Sequence, residues 1–315
     1  MVSEHAAENG VGVYLLGFRG PMAGAVPPPG FYFQNDVYYY NGLAGGSREL
    51  PFNGLLLADI KVKMVVDVAI MLWSMPIQIA GGNLAFSATL PFGGPSVDAG
   101  AVLSVGNQVI YFKKPAQFHH HLRRPVCVGF RCLARQQFPL ECGVAVNVPV
   151  GDYEQGQAAN IAFHRWAGDF FGAATWLDLA TGHELSGAVG ITFNGTNSAT
   201  DYSTGTEFHA EFASIQHFSK QFDLGLVGYF YDQLTGDSGS GAKLGPFKGG
   251  VAALGGTLGY IFMAGQTPIS TRVKVYREFD VTNRLEGTAA FFTVAVPMSA
   301  AAPSPPAAGK AVITK

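Results

Sequence analysis

The sequence predicts an all-β fold, an antiparallel transmembrane β-barrel of about 12 strands, and three observations predict it. Apolar residues recur at every second position over many segments, the period of a strand with one greasy face. Only 13% of the 315 residues are charged, while 41 are Gly, 24 Phe and 12 Tyr, a profile that excludes disorder and coiled coil. The mean hydropathy of +0.20 is high for a soluble chain. Yet the longest uncharged stretch, 68–97, is interrupted by Pro76, Gln78, Gly81, Gly82 and Asn83, which makes a poor spanning helix. The remaining way to cross a bilayer is a closed barrel.

Charge and cysteine usage exclude other classes. A net charge of −2 from 20 basic and 22 acidic residues gives no footprint for a nucleic acid, which needs clustered excess Lys and Arg. Cys127, Cys132 and Cys142 fall in one short stretch, and an odd number in one place is not a disulfide framework. Residues 1–10, MVSEHAAENG, lack the basic and apolar regions of a secretory signal, so export implies a mature start or a truncated gene model.

Three segments organise the chain. Residues 1–29, with PMAGAVPPPG, form a Gly- and Pro-rich N-terminal segment, either a periplasmic lead-in or a partial plug. Residues 30–298 form the barrel. Residues 299–315, SAAAPSPPAAGKAVITK, cannot bury a core and are expected to be a disordered tail.

Within the barrel, the strands follow from period two. Leu56, Ala58, Ile60, Val62, Met64, Val66, Val68, Ile70 and Leu72 occupy even positions, while Asp59, Lys61, Lys63 and Asp67 occupy odd ones. A helix competes here, because Asp59, Lys63 and Asp67 are spaced four apart. Lys61 would then fall among apolar residues, and the β-branched content also favours the strand. Leu84, Phe86, Ala88, Leu90 and Phe92 alternate with small or polar residues, and this strand is expected to end at PFGGP. The same pattern runs through 185–194, 222–230, 254–262 and 272–279.

FSKQFD and MAGQTP are short enough for periplasmic turns, whereas 194–207 and 233–248 have the length and composition of extracellular loops. A soluble sandwich also buries every second residue. The polarity of the second face favours the barrel, with aliphatic side chains expected toward lipid and charged ones toward the lumen.

That division nominates the lumen residues: Asp59, Lys61, Lys63 and Asp67 on one strand, Glu207, His209 and Glu211 on another, and Arg272, Lys274 and Glu278 on a third. Ile60, Val62, Met64 and Val66 are expected to meet lipid. GDSGS at 236–240 resembles a serine-protease nucleophile motif, but the triad is defined by geometry and a Gly-rich loop accounts for the string. No GxSxG elbow or GxxxxGK phosphate loop occurs. The reading is therefore a non-enzyme with no cofactor and no metal.

Residues 107–142 break the pattern, with all three cysteines, His119, His120 and His121, and Arg123, Arg124, Arg131 and Arg135. A metal site is the sharp interpretation, weakened because consecutive histidines point to opposite faces of a strand and no CxxC spacing is present. Reading 118–143 one base later, with permitted codons, gives STTTFGDPFVSASVAWHANNFHWNA, which restores strand alternation and a turn. We read the segment as the product of two compensating frameshifts.

PPPGFYFQNDVYYYNG (27–42), GGNLAFSATLPFGGP (81–95), GVAVNVPVGDY (143–153), NIAFHRWAGDFFGA (160–173), FNGTNSATDYSTGTEFH (193–209), QLTGDSGSGAKLGPFKG (233–249) and VKVYREFDVTNRLEG (273–287) together resemble the phenol meta-pathway degradation family. The resemblance covers about 8–298 and, through the anomalous segment, follows the shifted string. It implies an outer-membrane barrel encoded near genes for catabolism of hydrophobic or aromatic compounds. The expected function is a channel or uptake protein for such compounds, with outer-membrane lipid and small hydrophobic molecules as its partners. The alternatives are a structural or lipid-binding outer-membrane protein and, third, a membrane-embedded hydrolase. One departure is the end of the chain, where Phe291 and Phe292 lead to Pro297, Met298 and a tail and not to a terminal aromatic. Resequencing the gene is expected to show one single-base change upstream of Phe118 and a compensating one near Gly143; an unambiguous in-frame read contradicts the frameshift.

Overall fold

The computed structural model describes residues 12–300 except 53–54, 80–81, 106–107, 115–125, 133–138, 152, 154–162, 243–244 and 247. Within 45–60 and 94–138, and at 300, it describes main chain alone. In chain order the strands are β1 (Gly30–Phe52), β2 (Leu55–Ile79), β3 (Gly82–Val105), β4 (Gln108–Lys114), β5 (Val126–Cys132), β6 (Leu140–Val148), β7 (Ala167–Asp178), β8 (His183–Asn194), β9 (Thr196–Asn197), β10 (Tyr202–Ser203), β11 (Glu207–His217), β12 (Phe222–Gln233), β13 (Gly250–Ala264), β14 (Thr267–Thr282) and β15 (Glu286–Ala300). Twelve of them close a ring in the order β1-β2-β3-β5-β6-β7-β8-β11-β12-β13-β14-β15 and back to β1. Every neighbouring pair is antiparallel. β4 pairs with the far end of β3, and β9 and β10 form a small hairpin inside a loop.

The alternation read in the sequence is the inside–outside division of the wall. On β8, Glu184, Ser186, Ala188 and Thr192 are buried inward, while Leu185, Val189, Ile191 and Phe193 are exposed outward. On β11, Glu207, His209, Glu211, Ala213 and Ile215 point in and Phe212 points out. Rings gather at the two ends of the outer face, with Phe31 stacked on Trp73 and Phe218 on Phe222 at one end, and Phe208 tilted against Phe230 nearer the other. Such aromatic belts mark the two membrane interfaces. The turns at 179–182, 218–221 and 265–266 are short, whereas the connections at 195–206 and 234–249 are long. β1 begins and β15 ends on the short-turn side, the periplasmic side of an outer-membrane barrel.

Three sequence expectations need correction. β3 does not stop at PFGGP but runs to Val105, with Pro91 opposite Val68 and Pro95 opposite Met64. Its other edge pairs with β5 only over Leu84–Thr89 and with β4 only from Ala99 onward. Among the described residues the prolines therefore face an unpaired edge, where a missing N–H is tolerated. β15 extends through Ala300, two residues into the presumed tail, and pairs with Gly30; residues 301–315 lie outside the described residues. Ring closure is thus achieved without a terminal aromatic.

The third correction concerns the faces of β2. Val62, Val66, Val68 and Ile70 are buried inside, while Lys61, Lys63 and Asp67 are exposed outside, the reverse of the expected assignment. Period two defines two faces but not which one is inner. The register decides it: Val66 lies opposite Tyr38 and Met64 opposite Tyr40, and the Tyr40 hydroxyl donates across the interior to Glu278 on β14 at 2.7 Å. Cross-strand partners share a face, so the even positions of β2 follow the tyrosines inward.

Lys61 lies opposite Leu43, which lies opposite Glu286 at the start of β15. The lysines are therefore at the long-loop rim, where headgroups and water can solvate them. Asp67 instead lies opposite Val37, level with the outward Phe292 and Val273. The side chain of Asp59 lies outside the described residues. We expect Asp67→Val to stabilise the barrel in phospholipid vesicles, and Val189→Arg, from the middle of the outer face of β8, to cost roughly 2–4 kcal/mol near the bilayer midplane. Denaturant midpoints measure both. Destabilisation by Asp67→Val together with altered ion selectivity would return that carboxylate to the lumen.

Candidate functional site

The candidate site is the lumen, and β11 and β14 each contribute three of its charged or titratable side chains. His209 Nε2 lies 2.9 Å from Asp169 Oδ1 on β7, which also accepts the Thr192 hydroxyl at 2.8 Å. Glu207 accepts the Tyr231 hydroxyl at 2.6 Å and the Asn194 amide at 2.9 Å. On β14, Arg272 makes a two-pronged contact with Asp223 at 2.7 and 2.9 Å, the geometry that suits a guanidinium to a carboxylate. Glu278 accepts the Tyr40 and Tyr229 hydroxyls at 2.7 and 2.8 Å and the Gly287 amide at 2.7 Å. Arg284, in the β14–β15 turn, lies over the Tyr231 ring at 4.0 Å. The charges are thus interleaved with an aromatic wall of Tyr38, Tyr40, Tyr229, Tyr231, Tyr276 and Phe291.

The centre of the lumen is occupied by the chain's own N-terminal segment, residues 12–29, which passes up the inside of the ring from β1. Near the periplasmic end, Ser74 donates its hydroxyl to the Pro27 carbonyl at 2.8 Å, and the Gly24 amide donates to Thr175 Oγ1 at 3.0 Å. The Met22 amide donates to Glu184 at 2.6 Å. Higher up, Arg19 pairs with Glu141 at 3.2 Å and lies 3.8 Å over the Phe171 ring.

At mid-height the Lys274 ammonium donates to the carbonyls of Gly17, Phe18 and Arg19 at 2.5, 2.8 and 3.1 Å. Glu211 accepts the Gly17 amide at 2.8 Å and the Tyr14 hydroxyl at 2.9 Å, and the Tyr14 ring stacks on His209 with centroids 3.6 Å apart. Gly17 has φ +81, and a Cβ there would lie 2.8 Å from the Tyr276 ring and 3.1 Å from the Phe291 ring, so a side chain is excluded by both backbone and space. Burial, and then the Glu211 carboxylate, hold the Tyr14 hydroxyl well above its ordinary pKa. Burial works against the charge of Arg19, but Glu141, Tyr14 and Glu211 together outweigh it and raise its pKa. The plug is therefore docked by a lysine and three glutamates of the wall, one of them paired with the plug's own Arg19, and it seals with Leu16, only 8% exposed, against the aromatic core.

The two long loops meet above the plug. Asp237 accepts the Tyr202 hydroxyl, the Gly205 amide at 2.8 Å and the Gln233 amide at 2.6 Å. Burial pushes its carboxyl up to about 6 despite these bonds. Asp237 belongs to the GDSGS string, whose other members tie the same loops together: Ser238 forms a two-way main-chain bridge with Ser203, and Ser240 donates to Asp201 at 2.6 Å. These serines therefore clamp loops, and among the described residues neither is bonded to a histidine.

Of the residues nominated from the sequence, Glu207, His209, Glu211, Lys274 and Glu278 are buried inside the ring and Arg272 joins them. Glu211 and Lys274 are brought together on the plug; Lys61, Lys63 and Asp67 are not part of this group. Tyr14, Arg19, Asp36, Glu141, Asp169, Glu184 and Asp223 were not foreseen. Asp36 shares its parity with Tyr38 and Tyr40, a signal the sequence did carry. Nothing in the Gly- and Pro-rich composition of 12–29 reveals where its polar groups bond. The His119, His120 and His121 run lies outside the described residues, and among the described residues no cluster of three metal-ligating side chains occurs.

Residues 44–294 match the sequence profile of the family described as "Putative MetA-pathway of phenol degradation". The chain belongs to this family. No curated protein matches it. Among solved structures, the COG4313 outer membrane channel from Pseudomonas putida F1 is similar with a TM-score of 0.65 at 13% identity, covering 90% of this chain and 99% of that one. The translocator domain of the autotransporter NalP from Neisseria meningitidis gives 0.42 at 12% identity, covering 86% and 89%. A Pseudomonas aeruginosa FadL homologue gives 0.39 at 10%, covering 89% and 92%. The member of the phenol-degradation family described here is thus an outer-membrane β-barrel. Replacing Lys274 by Met strips the Phe18 and Arg19 carbonyls of their donor and leaves the Gly17 carbonyl to the Tyr276 hydroxyl at 3.2 Å. A buried unsatisfied acceptor costs about 1–3 kcal/mol, so the undocked population is expected to rise about tenfold or more. Single-channel recording should show longer or more frequent openings from a barrel that still migrates heat-modifiably, and an unchanged record contradicts the role of Lys274 in holding the plug.

Proposed function

We propose that the protein is an outer-membrane channel for the uptake of small hydrophobic or aromatic compounds, linked to their catabolism. The observation that carries this reading is the manner in which the lumen is filled. The ring is not packed solid by its own wall; its middle is filled by a terminal segment held through hydrogen bonds and ion pairs, which can be released as one piece. A purely structural barrel has no need of a separable filling.

The wall exposed by its removal suits the cargo. Tyr276 and Phe291 share one buried cluster with Leu16 of the plug, and with Tyr38, Tyr40 and Tyr229 they offer ring surfaces to an aromatic solute. Val66, Val68 and Ile70 continue that surface along β2. Two comparisons support the reading: the family's description refers to phenol degradation, and the P. putida relative is described as an outer membrane channel.

Deleting the gene is expected to slow growth on aromatic compounds supplied at low concentration, with the defect restored by the intact gene and absent at high concentration. Unchanged growth, together with unchanged uptake of a labelled aromatic compound, contradicts the proposal.

A further inference from the structure

Between the plug and the wall formed by β1, β2, β14 and β15 lies a cavity of 450 Å³ in the periplasmic half of the lumen. That size falls in the range of small-molecule sites, about 300–1,000 Å³. Its lining combines apolar and cationic groups. Ile70 and Leu72 on β2 and Phe18 on the plug are apolar; Arg19 on the plug and Arg272 and Lys274 on β14 are cationic.

The cationic groups are not fully answered by the protein. Lys274 meets three main-chain carbonyls and, among the described residues, no carboxylate within contact. Arg19, with its side chain 9% exposed, spends Nη1 on Glu141 but leaves Nε buried without a partner. Arg272 is held by Asp223 yet keeps 18% of its side chain exposed. The carboxylate in the lining is Glu141, already engaged by Arg19. Three cationic side chains in one lining favour a ligand that carries an acceptor with negative charge, and a carboxylate gains charge-assisted hydrogen bonds from guanidinium and ammonium donors.

We infer that this cavity binds a hydrophobic carboxylate, its ring or chain on Ile70, Leu72 and Phe18 and its carboxylate on Arg19, Arg272 and Lys274. An inorganic anion would leave the apolar residues uncovered, and a neutral aromatic would make no charge-assisted bond to the three cations. The cargo class is thereby narrowed to the acidic members of the hydrophobic and aromatic compounds. Because the ligand would lie against the plug segment and against Lys274, its arrival competes with the plug carbonyls for the same ammonium and couples binding to undocking. The inference rests on the channel reading above, and binding is measured apart from uptake so that each can fail alone.

The test uses the full chain refolded in a neutral maltoside detergent, with benzoate, its neutral analogue benzamide and inorganic phosphate as probes in calorimetric titrations. Benzoate is expected to bind at least tenfold more tightly than benzamide or phosphate, and to weaken as salt is raised. Arg19→Gln should lower benzoate affinity about tenfold and leave benzamide unchanged, while Arg19→Lys retains most of the affinity. Equal affinity for benzoate and benzamide, equal affinity for phosphate, or no binding of benzoate overturns the inference. If Arg19→Gln does not give a heat-modifiable barrel, the benzoate–benzamide comparison on the unaltered chain decides alone. Liposome uptake of neutral phenol, run in parallel, tests the channel reading: uptake without benzoate binding overturns the carboxylate site and leaves the channel standing.

Discussion

Hydrocarbon offers no partner to a backbone N–H or C=O, so a chain that crosses it in strands must close its ladder on itself. The pairing of β1 with β15, from Gly30 opposite Ala300 to Leu43 opposite Glu286, meets that constraint here, and the rest of the structure follows from it. Closure fixes the parity of β1, which places Asp36, Tyr38 and Tyr40 inside. β2 inherits its faces from β1, and the apolar row of β2 becomes inner wall. The same closure brings Tyr40 on β1 within reach of Glu278 on β14, two strands round the ring.

A closed ring of twelve strands has an interior to account for. Its wall contributes buried charge, including Glu207, Glu211, Lys274 and Glu278, and buried charge is tolerated only with bonded partners. Some of those partners come from the wall itself, as the tyrosines do for Glu278. The others come from residues 12–29, whose main-chain amides and carbonyls would themselves need partners in a dry interior. Wall and plug thus satisfy each other, and the N-terminal segment loses its partners when it leaves the lumen. A polar, hydrogen-bonded plug is also one that water or a charged ligand can compete for, which an apolar filling is not.

The barrel was legible because its signal is periodic. Leu185, Val189 and Ile191 against Glu184, Ser186 and Ala188 state the two faces of β8 without further information. The inner set on β11 and β14 was legible for the same reason, since Glu207, Glu211, Lys274 and Glu278 alternate with lipid-facing residues. On β2 the periodicity was equally clear and the assignment was reversed, because both faces of that strand are apolar in part and only the register with Tyr38 and Tyr40 separates them. PFGGP looked like a terminator because prolines usually end strands, and it does not end β3 because, among the described residues, that stretch has a partner on one edge alone. The plug left no periodic trace at all: Arg19 and Tyr14 acquire their roles from Glu141, Glu211 and His209, more than a hundred residues away, and no local pattern encodes contacts at that separation.

The account stands on residues 12–29 being what closes the lumen. The direct measurement is single-channel conductance in planar bilayers of the full chain and of a chain lacking residues 2–26, both checked for heat-modifiable migration. The account predicts a severalfold larger and steadily open conductance for the shortened chain. Equal conductance from two intact barrels would contradict it.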